Sequence, residues 1–211
     1  MTSGPVFDEE FRANLRDLFK WRRDVRRFRC DPLAPGLLND LIEAANSAPS
    51  VGLSQPWRFV TVDDPVRRAA IRKNFAASNA AALAAQPAER AKAYAGLKLA
   101  GLDDAPCHLA LFTVTDPVQG SMLGRSTMPE TLSYSAVIAV HTLWLAARAA
   151  GAGLGWVSIV DPVQVHAILD VPVDWAFTGY FCLGYPQNDQ DAPELEREGW
   201  ERRQAPAVLP R

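Results

Sequence analysis

Between Ser133 and Ala150 the chain has almost no polar face: Leu, Ile, Val, Ala and Trp recur at nearly every helical angle, and Gly151 follows as a C-terminal cap. A helix of this kind has to be covered all round. It lies at the centre of a core, or it gives one side to the core and the other to a partner subunit. A membrane does not solve the problem, because His141 and Arg148 interrupt the most apolar window, Ala136 to Ala150. That window also falls short of the roughly 18 residues a span needs.

The segments on either side read as alternating helices and strands. Phe7 to Phe19 is amphipathic, and Leu37 to Ala48 has helical spacing and is stopped by Pro49. Ser50 to Pro56 is a loop by its Gly, Ser and Pro content, and Trp57 to Val62 is a short buried strand. Pro65 to Leu99 gives two helices broken at Gln86-Pro87, the second carrying Tyr94, Leu97, Lys98 and Leu99. His108 to Val114 is a continuous apolar run, which suits a central strand. Asp116 to Glu130 has no periodicity, and a loop of that length inside a compact fold is a functional lid or disordered. Gly151, Gly153 and Gly155 lead into a strand at Trp156 to Val160. A short helix opens at Asp161-Pro162, and Ala176 to Gly184 is the last strand before a polar tail from Pro186. With neither repeat nor linker, residues 1–211 read as one α+β domain, a sheet with helices packed on it.

Several classes of function are disfavoured by composition. A net charge of -2 gives no general basic surface for nucleic acid or anionic membrane, so any affinity for anions has to be local. Cys30, Cys107 and Cys182 are scattered and odd in number, which suits a reducing cytoplasm and offers no disulfide framework or zinc site. His108, His141 and His166 share no metal-ligand spacing, so no metal is expected. No basic stretch followed by an apolar run opens the chain, and a cytoplasmic location is expected.

Local anion affinity has one obvious seat. Arg22-Arg23-Asp24-Val25-Arg26-Arg27 places four guanidiniums and a carboxylate in six residues. If the segment is extended, Arg22, Asp24, Arg26 and Phe28 project from one side and Arg23, Val25 and Arg27 from the other. Arginine forks grip phosphate or carboxylate, so the stretch reads as an anion clamp with an acid in its middle; a solvated, salt-bridged helix end is the competing reading. Asp24, by Coulomb's law, stays ionised there, as a structural counter-ion or as a base within reach of a reacting proton. The glycines at 151, 153 and 155 stand between a helix and a strand, the reverse of a dinucleotide fingerprint. They form a tight turn or admit a flat ligand. Ser158 falls on the predicted buried strand, where its hydroxyl needs a partner, either a ligand ring nitrogen or a neighbouring carbonyl.

Arg22-Arg23-Asp24-Val25-Arg26-Arg27-Phe28 resembles the opening R-R-S-x-R-x-F motif of the flavin-dependent nitroreductase superfamily. Ala48 to Trp57 is similar to its second flavin loop, with Leu53-Ser54 where Asn is usual, and Gly151 to Trp156 is similar to its third. Asp24 in place of Ser, the Ala-Pro-Ser-Val-Gly loop, the Leu123 to Glu130 run and Gly155-Trp156-Val157-Ser158-Ile159 are similar to the branch that breaks FMN down to 5,6-dimethylbenzimidazole, the lower ligand of cobalamin. The resemblance implies a mostly antiparallel sheet flanked by helices, in an intertwined homodimer with FMN at its interface. It implies reduced FMN as the substrate, supplied by a separate flavin reductase and consumed with O2, with erythrose 4-phosphate as a second product. It also implies Asp24 and Ser158 as catalytic residues. Arg22, Arg23, Asp24, Val25, Arg26, Pro49, Ser50, Val51, Gly52, Gln55, Leu99, Gly155, Trp156, Ser158 and Arg203 are implied to bind the flavin, and the lid at 116–130 to close over it. The rival expectations are an NAD(P)H-dependent nitroreductase or dehalogenase with a permanently bound FMN, and a flavin carrier without chemistry.

Overall fold

The computed structural model describes residues 4–211. Helix α1 spans Glu9–Trp21; its first turn is capped by Asp8, whose carboxylate accepts the Phe11 N–H at 2.8 Å. It is followed by α2 (Leu37–Asn46), a 3₁₀ turn (Val51–Leu53), β1 (Trp57–Thr61), α3 (Pro65–Ala84) and α4 (Ala88–Gly96). Next come β2 (Cys107–Val114), α5 (Thr131–Ala149), β3 (Gly153–Val157), α6 (Pro162–Leu169), β4 (Trp175–Gly184) and the single turn α7 (Glu194–Arg197). Asp64 and Asp161 cap α3 and α6, each followed by a proline that needs no N–H partner. The predicted break at Gln86-Pro87 divides α3 from α4; Leu97, Lys98 and Leu99, expected within the second helix, lie past its end at Gly96.

The four strands run in the order β1-β2-β4-β3, and every neighbouring pair is antiparallel. Strand β2 sits inside the sheet with all its residues buried, which is why it reads as an unbroken apolar run. Strand β1 is an edge strand and only its first residue, Trp57, is buried; the expectation of a buried strand there is corrected. The two sheet faces carry two cores. One joins Leu109, Leu111, Leu154, Phe181 and Leu183 to α2 and α5, and the other joins Phe28, Phe112, Val157 and Tyr180 to α3 and α6.

Helix α5 buries Leu132, Ser135, Ala136, Ala139, Val140, Leu143, Trp144 and Ala147, a stripe at helical spacing against the sheet. Its other side presents Tyr134, Val137 and Ile138 to solvent. Helix α1 packs beside it and contains no buried residue, with Phe11 and Phe19 exposed. The chain by itself thus covers one side of α5 only. Among the described residues no helix is long and apolar enough to cross a membrane.

Candidate functional site

The arginine segment is extended, not a frayed helix end. α1 stops at Trp21, Arg22 turns to ψ 117°, and the chain then makes a parallel bridge from Asp24 to Leu154 on β3 and another from Phe28 to Pro186. The Val25 N–H donates to the Leu154 carbonyl at 3.0 Å. The segment therefore covers the outer edge of β3, one of the two edge strands of the sheet. Asp24 is held on both oxygens. Oδ1 accepts the Trp156 N–H at 2.8 Å, and Oδ2 receives Arg26 Nε at 2.9 Å. Arg26, largely buried, also donates to the Lys98 carbonyl at 3.1 Å, which brings the segment containing Leu99 to the same place.

The glycines of β3 explain how the segment comes so close. A Cβ on Gly155 would stand 2.0 Å from the Val25 carbonyl oxygen, and one on Gly153 would stand 2.5 Å from a Val25 methyl. Both lie inside the strand and not in a turn before it, so what their bare faces admit is the chain's own Val25. The strand also begins and ends earlier than the sequence indicated. Ser158 follows its last residue and is exposed, correcting the expectation of a buried hydroxyl. Asp24 is bonded to the Trp156 amide, two residues before Ser158 in the chain, and no hydrogen bond joins the acid to the serine among the described residues.

Around Arg22 and Arg23 cationic and acidic side chains are mixed, with Asp24, Arg26, Arg27, Asp189, Glu194, Arg197 and Glu198 lining the same cavity. The Arg22 guanidinium lies 4.9 Å from the Trp144 ring centroid, and Trp144 Nε1 donates to the Arg23 carbonyl at 3.0 Å. Burial holds Arg22 below the ordinary arginine range, with Asp24 opposing and Arg203 adding to the effect. Burial lowers Arg23 too, reinforced by the charges of Arg203 and Arg22 and opposed by those of Asp191 and Glu196. Two Arg23 atoms, Nε and Nη2, are buried without a hydrogen-bond partner. Orphaned guanidinium N–H groups on Arg23, next to Arg22, fit an anion with several acceptor oxygens, as a phosphate has. A cavity of about 310 Å³ adjoins them, lined by Trp144, Gly153 and the tail residues Asp189 and Glu194 among others. The tail is tied down there by Arg27–Glu194 at 2.9 Å, Lys20–Asp191 at 3.2 Å and an Arg148–Asp189 pair.

The second predicted loop is elsewhere. Val51 N–H donates to Ser135 Oγ at 3.0 Å near the start of α5, and Ser50 Oγ accepts the Gln55 N–H at 3.1 Å. Segment 116–130 folds onto this loop. Cβ atoms on Gly52 and Gly120 would each stand 2.9 Å from the other residue's side of the junction, and Gln119 Nε2 donates to the Leu53 carbonyl. Arg125 pins the lid from within: it is 9% exposed, donates to Asp116 Oδ1 at 2.6 Å and to the Pro117 carbonyl at 2.7 Å, and keeps Nε unpartnered. Leu53, Gln55, Ser121 and Met122 all have positive φ, so backbone strain is concentrated where lid and loop meet.

Within one chain these two halves do not meet. Arg22 and Arg23 pack on Trp144 and the Val51 loop packs on Ser135, nine residues apart on α5 and about 14 Å along its axis. Arg22, Arg23, Asp24, Val25, Arg26, Gly155 and Trp156 form one group, with the segment containing Leu99 beside it, while Arg203 is exposed on the tail. Pro49, Ser50, Val51, Gly52 and Gln55 form the other, at the lid. Sequence reasoning passed over Ser135 and Gln119. A serine in an apolar helix and a glutamine in an aperiodic loop carry no signal until the loop is seen resting on them. Arg125 was visible as part of the lid run, but its burial was not.

A twisted antiparallel sheet between helices, with an arginine-rich segment laid along one sheet edge, defines the class. Residues 19–185 match the Nitroreductase family, and the chain belongs to it. It is 55% identical over 211 residues to a 5,6-dimethylbenzimidazole synthase of Rhodospirillum rubrum, covering all of both chains. It is 48% identical to a 5,6-dimethylbenzimidazole synthase of Rhodobacter capsulatus, over 92% of this chain and 94% of that one. Among solved structures, iodotyrosine deiodinase bound to FMN and 3-iodo-L-tyrosine superposes with a TM-score of 0.73 at 23% identity, covering 93% of this chain and 97% of that one. At that identity the superposition speaks for the fold alone.

Proposed function

We propose that this protein is a 5,6-dimethylbenzimidazole synthase, taking reduced FMN and O2 to 5,6-dimethylbenzimidazole, erythrose 4-phosphate and an oxidised pyrimidine fragment. The observation that carries the reading is the identity of 55% across the whole of both chains with the Rhodospirillum rubrum synthase. Reduced FMN supplies the carbon skeleton of the product and the electrons that oxygen accepts. The reductase that makes it is a separate protein.

Each group of residues then has a task. Arg22, Arg23 and Arg203 hold the phosphate, as the unpartnered Arg23 atoms favour. Arg26, Val25, Leu99, Gly155 and Trp156 bound the ring system from the β3 side. Asp24 keeps its carboxylate oriented through the Trp156 amide and Arg26, and takes up protons as the ribityl chain is cut. Ser158, free of the strand, donates a hydrogen bond to a flavin nitrogen. Pro49, Ser50, Val51, Gly52 and Gln55 come to the same flavin from a second copy, because within one chain they sit too far along α5 to do so. The uncovered stripe of Tyr134, Val137 and Ile138 supports the homodimer this requires. The 116–130 lid, which packs on that loop, excludes water from the reaction.

The test is direct. Protein mixed with reduced FMN and opened to air is expected to yield benzimidazole on a chromatograph; oxidised FMN as the sole product refutes the proposal, and nitroaromatic reduction with NADPH would establish the reductase instead. Asp24→Asn is expected to bind flavin within about threefold of wild type, because the amide can still accept the Trp156 N–H. It is expected to lose benzimidazole formation by about a hundredfold or more. Undiminished product from that variant removes Asp24 from the chemistry.

A further inference from the structure

We propose that Asn74 is a positioning residue for Ser158, its side-chain amide holding the backbone just beyond β3 so that the serine stands where the reaction needs it. The inference rests on the synthase reading above and deepens it, because nothing in that reading ties Ser158 down.

Ser158 is exposed and follows the last residue of β3, so the pairing with β4 no longer fixes it. Where its hydroxyl stands depends on how the backbone is fastened on either side. Upstream the fastening is Trp156, whose N–H is paired with Asp24. Downstream it is Asp161, which is extended, as the residue before a proline prefers to be. The Asp161 carboxylate is committed to the start of α6. Its Oδ1 accepts the Val163 N–H at 2.9 Å and the Gln164 N–H at 3.3 Å, and Oδ2 accepts Gln164 Nε2 at 2.8 Å. Outside the sheet, the Asp161 backbone has no strand to pair with. Asn74 takes that part: Oδ1 accepts the Asp161 N–H at 2.8 Å, and Nδ2 donates to the Asp161 carbonyl at 3.0 Å. That carbonyl also accepts the Val165 N–H at 3.0 Å, within α6.

Helix preference does not explain an asparagine here. α3 buries only Ile71 and Asn74, and asparagine is a poor helix former whose amide is costly to bury unpaired. What a primary amide offers is a donor and an acceptor side by side, as a neighbouring strand would. Ser78, one turn along, donates to the same Oδ1 at 3.4 Å and steadies the amide from within α3. Half-buried Val160 adds a contact with the core between sheet, α3 and α6. Arg67 joins α3 to α6 separately, donating to the Ile168 carbonyl at 3.0 Å. Loss of Asn74 therefore frees the turn at 158–161 without undocking α6. Ser158 hangs between two tethers, one two residues before it and the other three residues after.

The experiment is a single turnover on the full-length protein, held in excess over reduced FMN and mixed with oxygenated buffer. Benzimidazole is counted per flavin consumed. The competing outcome is oxidised FMN with hydrogen peroxide, oxygen having taken two electrons and two protons while the ring system stays whole. Asn74→Ala is expected to lower the benzimidazole fraction about fivefold, while oxidised FMN binds within about twofold of wild type by fluorescence quenching. Ser158→Ala sets the floor, and the double variant falls no lower, because residues acting as a unit are not additive. Asn74→Asp keeps the shape and the acceptor for the Asp161 N–H; it is expected between wild type and Asn74→Ala, and it replaces the alanine variant if that one does not fold. A purely structural role would lower thermal stability or flavin binding and leave the product fraction unchanged, and that result overturns the proposal. So does a double variant in which the two losses multiply. Ser158→Ala with a wild-type fraction overturns the serine's role and this inference with it, leaving the synthase reading intact. Wild type that makes no benzimidazole overturns the synthase reading itself.

Discussion

The two loops proposed to hold one flavin are built in opposite ways. The Arg22–Phe28 segment is fastened by backbone bridges to Leu154 and Pro186, by a fully buried Phe28, and by contacts with β3 so close that only glycine fits beneath them. The Ser50–Gln55 loop and the lid that rests on it are held by a few side chains, Ser135, Gln119 and Arg125, and run through four non-glycine residues at positive φ. The first is joined to the core and carries the acid; the second is strained, half-buried except for Leu53 and Ser54, and packed against the 116–130 segment. On the function proposed above, rigidity falls where Asp24 would handle a proton and strain where the 116–130 segment would open and close.

The largest expected effect is on the rigid side. Gly155→Ala drives a methyl to 2.0 Å from the Val25 carbonyl, and neither backbone can yield without losing the Asp24–Leu154 bridge. A loss of about 3 kcal/mol in urea denaturation is expected, with flavin binding abolished. An alanine tolerated there within experimental error would mean the edge is not packed as described.

Acid should also act through the core. His108 is buried, its Nδ1 is 2.9 Å from the Tyr180 hydroxyl, and burial first, then the charges of Arg68 and Arg72, push its pKa down to about 4. The unfolded chain, with an ordinary histidine near 6.5, binds the proton more readily than the folded one between those values. Stability is therefore full above pH 6.5 and falls as pH drops towards 4, by up to about 3 kcal/mol. His108→Gln should flatten that limb of a stability-versus-pH curve; an unchanged slope would assign it to other groups.

On the compliant side the effects are smaller. Arg125→Met removes the internal fastener of the lid and should cost about 1–2 kcal/mol globally. Proteinase cleavage should then appear within residues 116–130 well before the rest of the chain is cut, and uniform resistance would show that the lid is held by more than Arg125. Leu53→Gly relieves a side chain at φ 56° and is exposed, so stability should stay within about 1 kcal/mol of wild type or rise. The same change at Leu154, fully buried in β3, should cost several times more, about 3 kcal/mol or above. Equal costs at the two leucines would erase the contrast between the regions.

Much of the architecture was legible in the chain. The all-buried strand at 107–114 shows as an apolar run, the prolines at 65, 87 and 162 mark helix starts, and Gly151 ends α5 where a left-handed residue is needed. The arginine cluster was legible as a concentration of guanidiniums around one acid because charge type and spacing are local facts. Less could be said of β3. Gly153 and Gly155 look like turn residues by composition, and only the approach of Val25 reveals them as strand residues stripped of side chains so that another backbone can lie on them. Ser158 followed the same error one register along.

What the sequence determined by itself was the inventory: which helix has no wet face, which side chains can grip a phosphate, and which acid stands among them. Those properties follow from residue type and short-range periodicity. Tertiary structure alone decided the pairings. It set Asp24 on the Trp156 amide, left two Arg23 nitrogens without partners, put Trp200 on α4, and placed the arginine segment and the Val51 loop at separate stations along α5. Contacts between residues 24 and 156, or 94 and 200, depend on how helices and strands pack over long sequence separations, and no local pattern in the chain encodes that distance.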